Sequence, residues 1–481
     1  MTFLSLEACR EATGGTWLVP PSDGALEPSK VSIDTREDLA GALYVALVGG
    51  RLDGHAFLAD AAKAGACAAI VESGRVDESL HGTLPLIAVE DSTRALRSLA
   101  EAWRPRLEAT VVGITGSAGK TTVRRLLQGI CEAAGPPTAS IRSFNNHIGL
   151  PLTILSARPD DAWLVVEIGT NAPGEILDLA TLAAPDVAVI TSIGRAHLEG
   201  LGSLEGVARE KVSLLEVLPP GGDAVVPAGA GPLTDLLPQC LPEGVALQTF
   251  GADGTPVGLA MRNTLGATGA QLLRLDDGLE FELRLAGEHN ASNACAAVAA
   301  ARALGIPDST IVPAIGAVEP DSMRLSADLL ESSGTLLLND VYNSNPDAVQ
   351  AALQTFAELS AYAPRRVLIL GDMLELGEEE AALHAEIGRS VARLDALAPI
   401  DVAIFVGERS LHAASALDEC GFDGLLVTLP RLDEVLAGTV ASVVMDGDAV
   451  FAKASRGMAF ERIIAAIRER SERRTNELAG H

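Results

Sequence analysis

Lysine is scarce in this chain of 481 residues, which has 36 lysines and arginines together. Only five positions are lysine: Lys30, Lys63, Lys120, Lys211 and Lys453. A lysine that remains among so many arginines can mark a need for a primary amine, because guanidinium is bulkier and does not deprotonate to act as a nucleophile. Lys120 and Lys453 can serve as point charges. Lys211 lies in an ordinary helical pattern and, taken alone, is interpreted as a solvated surface residue.

The composition lacks the marks of several protein classes. The formal net charge is -28, and no basic cluster offsets it, which argues against binding to nucleic acid or to an anionic membrane surface. The six cysteines include no CxxC pair, so neither a disulfide framework nor a cysteine zinc site is indicated. No apolar run approaches the roughly 18 residues of a membrane span, and no signal-peptide pattern is present. We therefore expect a cytoplasmic protein without membrane insertion.

Apolar segments follow two patterns in the first two thirds of the chain. Between residues 31 and 107, short apolar runs alternate with alanine-rich stretches, as expected of a small α/β unit. From 109 to 229, strand and helix patterns alternate, which predicts a mainly parallel sheet covered by helices. Residues 256–286 have alternating apolar positions and glycine-containing turns, which predict antiparallel strands at the edge of that sheet.

The best linker signal, GAVEPDSMRLS at 316–326, precedes a second α/β series. A chain of this length is expected to divide into several domains. We predict three: a small N-terminal α/β domain, a central mainly parallel sheet of the phosphate-loop type with helices on both faces, and a Rossmann-like C-terminal α/β domain. The predicted boundaries are 1–107, 108–319 and 320–481.

One segment has the composition of a phosphate-binding loop. In GITGSAGKT, an apolar strand runs into Gly113, Gly116 and Gly119, and Lys120 and Thr121 begin a helical pattern. Glycines let backbone N–H groups approach phosphates, the helix N-terminus favours an anion, the lysine can reach the β- and γ-phosphates, and the threonine can bind magnesium. The first glycine lies one position earlier than the usual spacing requires.

Polar residues at predicted strand and helix ends extend this candidate site. Glu167 ends a hydrophobic strand, where ligands gather in parallel sheets, and a buried carboxylate there needs a partner such as magnesium. His197 follows another strand and is either a site residue or a satisfied loop histidine. Asn290 and Asn293 are one helical turn apart and could face a base together, although Asn290 could instead cap its helix.

The third segment of the chain contributes further polar candidates. Arg324 lies near the linker, and Asp340 ends an apolar strand pattern. If these residues join the groups of the central segment, two domains contribute to one site. Such an arrangement implies closure of the domains around a nucleotide.

These motifs resemble the ATP-dependent Mur ligases of peptidoglycan precursor synthesis, whose phosphate loop has the same shifted form, GxxGxxGK[ST]. The resemblance extends over essentially the whole chain and implies ATP and Mg²⁺ as cofactors. It also implies that Lys211 is carbamylated and acts as an acidic group, which reverses the interpretation drawn from its helix alone. The implied catalytic residues are Lys120, Glu167, His197 and Lys211, and the implied metal-binding residues are Thr121, Glu167, His197 and Lys211. The implied ATP-binding residues are Gly116, Ser117, Ala118, Gly119, Lys120, Thr121, Thr122, Asn290, Asn293, Arg324 and Asp340.

Within the family, three segments resemble the member that adds D-alanyl-D-alanine to a UDP-muramoyl tripeptide: FNNHIGLPLTIL at 144–155, NDVYNSNPDAVQAAL at 339–353 and LGDMLELG at 370–377. Residues 32–57 are similar to that member's uridine-nucleotide domain, with its Ser-x-Asp-Ser/Thr-Arg motif. The Asp-Asn-Pro-Arg motif that selects diaminopimelate in the preceding ligase is absent. The implied substrate-binding residues are Ser32, Asp34, Thr35, Arg36, Asn145, Asn146, Asn343 and Asn345.

The resemblance implies ligation through an acyl phosphate, with UDP-N-acetylmuramoyl-tripeptide and D-alanyl-D-alanine as small-molecule substrates, by an enzyme that we expect to be a monomer. Three alternatives are another Mur-type amide ligase, folylpolyglutamate synthase and a catalytically inactive UDP-sugar-binding relative. The chain departs from the family at Ala454, where Lys-Gly-Ser-Arg is usual and a methyl group replaces a hydrogen.

Overall fold

The chain folds into three α/β domains, each built around its own sheet. This computed structural model describes residues 4–24, 26–50, 52–76, 84–140, 144–252 and 254–479. In those segments, no helix is long and apolar enough to cross a membrane. The predicted fold class is confirmed, whereas the boundaries after residues 107 and 319 stay predictions.

The N-terminal domain contains the helices and strands α1 (Leu6–Ala12), β1 (Thr16–Val19), β2 (Val31–Ser32), β3 (Leu43–Val45), α2 (Leu58–Lys63), β4 (Ala68–Glu72), β5 (Leu86–Val89) and α3 (Ser92–Trp103). The strand order is β1-β5-β4-β3-β2, with β1 antiparallel to β5 and the other pairs parallel. Alternate side chains point to opposite faces of the sheet. Leu43, Val45 and Ile70 therefore pack with α1 and α3, whereas Tyr44 and Val71 pack with α2.

The central domain begins with β6 (Thr110–Thr115), α4 (Lys120–Ala134), β7 (Pro137–Ala139), α5 (Gly149–Ser156), β8 (Trp163–Glu167), α6 (Glu175–Ala183), β9 (Val187–Ile190), α7 (Leu198–Leu201) and α8 (Leu204–Val212). It continues with β10 (Asp223–Pro227), α9 (Pro232–Cys240), β11 (Ala246–Gly251), β12 (Val257–Leu265), β13 (Ala270–Leu275), β14 (Glu280–Leu283), α10 (Glu288–Ala303) and α11 (Asp308–Ala317).

The central sheet has nine strands in the order β14-β13-β12-β11-β10-β9-β6-β8-β7. The predicted antiparallel edge is confirmed, because β12 pairs with β13 and β13 with β14 in antiparallel register. Val112 and Val165 face α4 and α10, whereas Val111 and Leu164 face α3, α5 and α6. The alanine-rich α10 is buried on nearly every side, as expected of a helix without a charged face.

The C-terminal domain contains β15 (Ser326–Leu330), β16 (Thr335–Asp340), α12 (Pro346–Leu359), β17 (Arg366–Gly371), α13 (Glu380–Asp395), β18 (Val402–Val406), α14 (Leu411–Glu419), β19 (Leu425–Leu429), α15 (Glu434–Val443), β20 (Ala449–Lys453) and α16 (Glu461–Ala479). Its strand order is β15-β16-β20-β17-β18-β19, and only the β15–β16 pair is antiparallel among the pairs described. Leu368 and Phe405 face α12, α13 and α14, whereas Ile369 and Ile404 face α15 and α16.

The N-terminal and central domains share one hydrophobic cluster, which runs from Leu6 through α3 to α5 and α6. Polar contacts close the same interface. The indole of Trp103 donates to the carbonyl of Ala157 at 3.0 Å, and Arg104 donates to the carbonyl of Ala183 at 2.7 Å. The first domain is therefore firmly docked, and β2 lies against α5.

Candidate active site

The predicted phosphate loop joins the carboxyl end of β6 to α4, at the centre of the parallel part of the sheet. Gly119 precedes α4 in the left-handed region, with φ of 85°. A Cβ atom at Gly119 would lie 2.3 Å from Oδ1 of Asn293. The close approach of α10 to this loop therefore requires glycine.

Gly119→Ala is expected to weaken nucleotide binding, because the added methyl group forces Asn293 away and strains the loop by about 1–2 kcal/mol. Isothermal titration with ADP measures the change in affinity. The matched control is Gly229→Ala, which has the same left-handed backbone, with φ of 65°, and open space around its Cβ position. Equal affinities for the two variants would contradict the steric role of Gly119.

The 191–194 segment, which follows β9, supports the loop from the other side. The backbone N–H groups of Ser117 and Ala118 donate to the carbonyl and hydroxyl oxygens of Ser192 at 3.0 and 2.9 Å. The ammonium of Lys120 folds back and donates to the carbonyl of Gly116 at 2.6 Å. The predicted loop residues thus form one compact turn.

Glu167 is fully buried at the end of β8, beside β6. Its Oε2 accepts a hydrogen bond from the Thr121 hydroxyl at 3.1 Å, and its Oε1 accepts one from Nε of Arg124 at 2.9 Å. The carboxylate therefore has the partner that its burial requires. The sequence interpretation missed Arg124, although its place one turn after Lys120 puts it on the same side of α4.

His197 and Lys211 belong to the same electrostatic environment as Lys120. Burial lowers the pKa of Lys120, and the carboxylate of Glu167 opposes that change. Burial, followed by the positive charges of Lys120 and Lys211, lowers the pKa of His197 to about 4. His197 is therefore a neutral imidazole at pH 7 and can act as a nitrogen ligand.

His197 also contacts the C-terminal domain. Its Nδ1 lies 3.0 Å from a carboxylate oxygen of Glu375. Both residues have left-handed backbones, with φ of 56° and 64°. Non-glycine residues in this region store strain, which is common at functional sites.

The interpretation of Lys211 as a solvated surface residue is wrong. The side chain is 1% exposed at the end of α8. Burial, followed by the charge of Lys120, lowers its pKa well below the ordinary lysine value. The carboxylate of Glu210 opposes this change. The periodicity of α8 fails as a guide here because this helix is covered by α9 and α6.

Glu210 precedes Lys211 and fixes the loop beyond β8. Its two carboxylate oxygens accept hydrogen bonds from the backbone N–H groups of Gly174 at 2.7 Å and Ile176 at 2.8 Å, at the start of α6. A carboxylate at a helix N-terminus satisfies free N–H donors and the helix dipole. Sequence reasoning missed Glu210, since nothing in its helix distinguishes it from its exposed neighbour Glu205.

Glu210→Gln is expected to destabilise the protein by about 1–3 kcal/mol, because the amide nitrogen would face a backbone donor and leave it unsatisfied. The apparent melting temperature measures this loss. Glu205→Gln, on the exposed face of the same helix, is the control and should leave the melting temperature unchanged. Equal melting temperatures for both variants would refute the loop-fixing role.

The predicted asparagine pair lies behind the phosphate loop. Nδ2 of Asn293 donates to Oδ1 of Asn290 at 3.1 Å, and Nδ2 of Asn290 donates to the carbonyl of Ala286 at 2.8 Å. The helix is capped at Gly287, so the alternative that Asn290 is its cap is wrong. A cleft beside the pair is lined by Thr122, Arg125, Leu285, Asn290, Val318, Asp321 and Arg324.

Residues of the C-terminal domain approach this cleft. The guanidinium of Arg324 lies 3.9 Å from the ring centroid of Tyr342. Asp340 contacts the buried Lys453. Its Oδ2 accepts a hydrogen bond from the ammonium of Lys453 at 2.5 Å. The methyl group of Ala454 packs in the core beside Gly371. A Cβ atom at Gly371 would lie 2.7 Å from the Cβ of Ala454, so the glycine leaves room for this methyl group.

The predicted substrate-binding residues form separate groups. In the N-terminal domain, the carboxylate of Asp34 pairs with the exposed Arg36 at 2.6 Å, and Ser32 donates to Glu37 at 2.9 Å, with Thr35 between them in the sequence. This group follows β2, which contacts α5 of the central domain.

The asparagines predicted to bind substrate have structural contacts near the ends of helices and strands. Oδ1 of Asn146 accepts from the N–H of Gly149 at 2.9 Å at the start of α5, and Oδ1 of Asn345 accepts from Ala348 at 2.8 Å and caps α12. Asn145 lies against Gly169, just beyond Glu167. The backbone carbonyl of Asn343 accepts a hydrogen bond from the ammonium of Lys453 at 2.9 Å.

Oxygen donors at the phosphate loop suit magnesium. Thr121 and Glu167 present oxygens side by side, and Mg²⁺ typically takes one or two protein oxygens together with phosphate and water. A charged ammonium on Lys211 would repel a metal cation, whereas a carbamate on its nitrogen would present oxygens as ligands. Among the described residues, no cluster of three histidine, cysteine, aspartate or glutamate side chains forms a metal site.

The sequence matches family descriptions in all three domains. Residues 28–104 match the Mur ligase family catalytic domain, 114–301 match the Mur ligase middle domain, and 323–456 match the Mur ligase glutamate ligase domain. The chain belongs to the Mur ligase family.

Within this family, the chain is similar to ligases named for D-alanyl-D-alanine addition. It is 33% identical to the UDP-N-acetylmuramoyl-tripeptide–D-alanyl-D-alanine ligases of Bacillus subtilis and Escherichia coli, over 91% of this chain and 93% of each relative. Its fold matches MurF of Acinetobacter baumannii, with a TM-score of 0.82 at 26% identity over 98% of this chain and 99% of that one. MurF of Thermotoga maritima, solved with ADP, matches with a TM-score of 0.75 at 26% identity, over 92% and 98% of the two chains.

Proposed function

We propose that this chain joins D-alanyl-D-alanine to UDP-N-acetylmuramoyl-tripeptide with ATP, forming the UDP-muramoyl-pentapeptide of peptidoglycan synthesis, ADP and phosphate. The observation that carries the proposal is the pair of cations at the carboxyl end of the central sheet. Lys120 and Arg124 lie beside Glu167, in a chain of net charge -28. A polyanion such as ATP would neutralise these charges.

The ligation takes place in two displacement steps. A terminal carboxylate oxygen of the tripeptide attacks the γ-phosphorus of ATP, the bond to the β,γ-bridging oxygen breaks, and ADP leaves. The amine of D-alanyl-D-alanine then attacks the carbonyl carbon of the acyl phosphate and loses a proton. The tetrahedral intermediate breaks its carbon–oxygen bond and releases phosphate, which carries one oxygen of the original carboxylate.

Lys120 and the N-terminus of α4 neutralise the phosphates during the first step, since both reactants are anions. Thr121 and Glu167 would hold one Mg²⁺, and His197 with carbamylated Lys211 would hold a second. The bound metal would supply further charge neutralisation between phosphate and carboxylate. The low pKa of Lys211 supports carbamylation, because only a neutral amine attacks carbon dioxide.

We assign the cleft at Thr122, Asn290 and Arg324 to the nucleoside of ATP, with Gly119 and Asn293 beside the phosphates and Asp340 approaching from the C-terminal domain. The position of the Ser32, Asp34, Thr35 and Arg36 motif beside α5 supports a uridine-nucleotide site in the N-terminal domain. Asn145 lies against Gly169, just beyond Glu167, and Asn146 lies at the start of α5, whereas Asn343 and Asn345 lie on the C-terminal domain. We assign all four to the peptide substrates. We propose that the enzyme acts as a monomer in the cytoplasm.

Phosphate release from ATP tests the function directly. The assay combines ATP and Mg²⁺ with UDP-muramoyl tripeptide, with D-alanyl-D-alanine, with both, and with folate plus glutamate. We expect release that requires the tripeptide and the dipeptide together. Release with folate and glutamate would instead assign the folylpolyglutamate synthase activity, and silence in every mixture would indicate an inactive UDP-sugar-binding relative.

A further inference from the structure

The loop between β9 and α7 contacts three parts of the candidate site at once. At its start, Ser192 holds the phosphate loop. In its middle, the hydroxyl of Ser117 donates to the carbonyl of Gly194 at 2.9 Å, and the N–H of Gly194 lies 2.9 Å from the same hydroxyl. At its end, His197 contacts Glu375 of the C-terminal domain. A movement of this loop would therefore reach both the phosphates and the domain interface.

Arg195, in the same loop, binds two carboxylates of the C-terminal domain. Its Nε and one terminal nitrogen donate to Oδ1 of Asp347 at 3.1 and 2.9 Å, and its backbone N–H donates to Oδ2 at 2.6 Å. The other terminal nitrogen donates to Glu386 at 2.7 Å. The guanidinium thus bridges the first turn of α12 and the middle of α13, a fixed fork geometry that lysine does not reproduce.

The backbone of this loop and the helices α12 and α13 pack closely around the Arg195 contact. A Cβ atom at Gly194 would lie 2.5 Å from Oδ2 of Asp347, so the loop backbone and the start of α12 approach as near as glycine allows. Glu386 also accepts a hydrogen bond from Gln350 at 2.9 Å, which fixes its position between α12 and α13. Hydrogen bonding to Arg195 lowers the pKa of Glu386, so the pair stays charged at neutral pH.

We propose that Arg195 is a positioning residue that links the phosphate loop to the closed position of the C-terminal domain. The proposal rests on the proposed function, because closure of the C-terminal domain would keep water from the acyl phosphate and bring the amine to it. The Arg195 side chain binds the carboxylates of Asp347 and Glu386. It acts through Ser117 and Gly194 on one side and through Asp347 and Glu386 on the other.

Small-angle X-ray scattering tests the link without any ligation substrate. Wild-type protein, Arg195→Ala and the control Arg158→Ala, which removes an exposed arginine of the same domain, are compared with a non-hydrolysable ATP analogue and Mg²⁺. We expect Arg195→Ala to have the larger radius of gyration. Raising the salt concentration should expand the wild type towards it, because the arginine is partly exposed to screening ions.

Kinetics separate this role from a general loss of structure. Arg195→Ala should lower kcat for ligation roughly 5- to 50-fold and leave KM for the UDP-tripeptide, whose uridine-nucleotide site we assign to the N-terminal domain, nearly unchanged. Adding Glu386→Gln to Arg195→Ala should cause little further loss, since the contact is already broken. Scattering and kcat equal to those of Arg158→Ala, or independent losses from the two substitutions, would overturn the proposal. If the wild type does not ligate, the proposed function fails, and scattering alone decides the link.

Discussion

Lys120→Ala is expected to lower kcat by roughly 10³-fold, the largest effect of any single substitution in this protein, because it removes the ammonium that neutralises the transferred phosphate in the proposed mechanism. Lys120 is the only lysine in the described phosphate loop and its helix, and its charge is held close to Glu167. Steady-state ligation with saturating ATP, tripeptide and dipeptide measures the loss.

Two further variants test whether the loss comes from charge at this place. Lys63→Ala removes a lysine that is 78% exposed in the N-terminal domain and should keep wild-type activity. Lys120→Arg retains the charge in a bulkier group and should recover only a small part of the activity. Wild-type kcat in Lys120→Ala would remove this lysine from the mechanism.

Lys211→Ala is expected to lower kcat by roughly 10²- to 10³-fold, because the carbamate that would hold the second metal is lost. Its burial means that the effect cannot be attributed to surface charge. In the wild type, activity should fall in buffers freed of carbon dioxide and return when bicarbonate is added. Labelled bicarbonate should give a carbamate signal in carbon-13 NMR.

The NMR signal separates chemistry from packing. Lys211→Ala also leaves a cavity and changes the electrostatic environment of Lys120. A loss of kcat alone therefore does not distinguish a missing carbamate from altered structure. A carbamate signal in the wild type that is absent from Lys211→Ala, and unchanged in Lys63→Ala, assigns the modification to this residue. Full activity without carbon dioxide, or no signal in the wild type, would contradict the carbamate role.

The sequence predicted the parts of the molecule whose signals are local. The phosphate loop followed from glycine spacing before a helix, and Glu167 from its place at the end of an apolar strand. The antiparallel edge from Val257 to Leu283 followed from alternating residues and turns. These patterns depend on neighbours in the chain, so they can be seen without the fold.

Contacts between distant segments were not predictable in this way. Arg195 and Asp347 are 152 positions apart and meet only when two domains pack together. Glu210 is unremarkable within α8, and its role depends on where α6 begins. Lys211 was assigned to the surface from periodicity, and only the family resemblance pointed to a role in the site. In the first domain, β1 and β2 were missed because they are short and partly exposed.

Oxygen transfer from the peptide to phosphate tests the central claim most directly. UDP-muramoyl tripeptide carrying oxygen-18 in its terminal carboxylate is incubated with ATP, Mg²⁺ and D-alanyl-D-alanine, and the phosphate and the peptide product are analysed by mass spectrometry. An acyl-phosphate mechanism predicts one oxygen-18 atom in the released phosphate and a UDP-muramoyl-pentapeptide that keeps the other at the new amide. Unlabelled phosphate would contradict it, because water would then have attacked ATP.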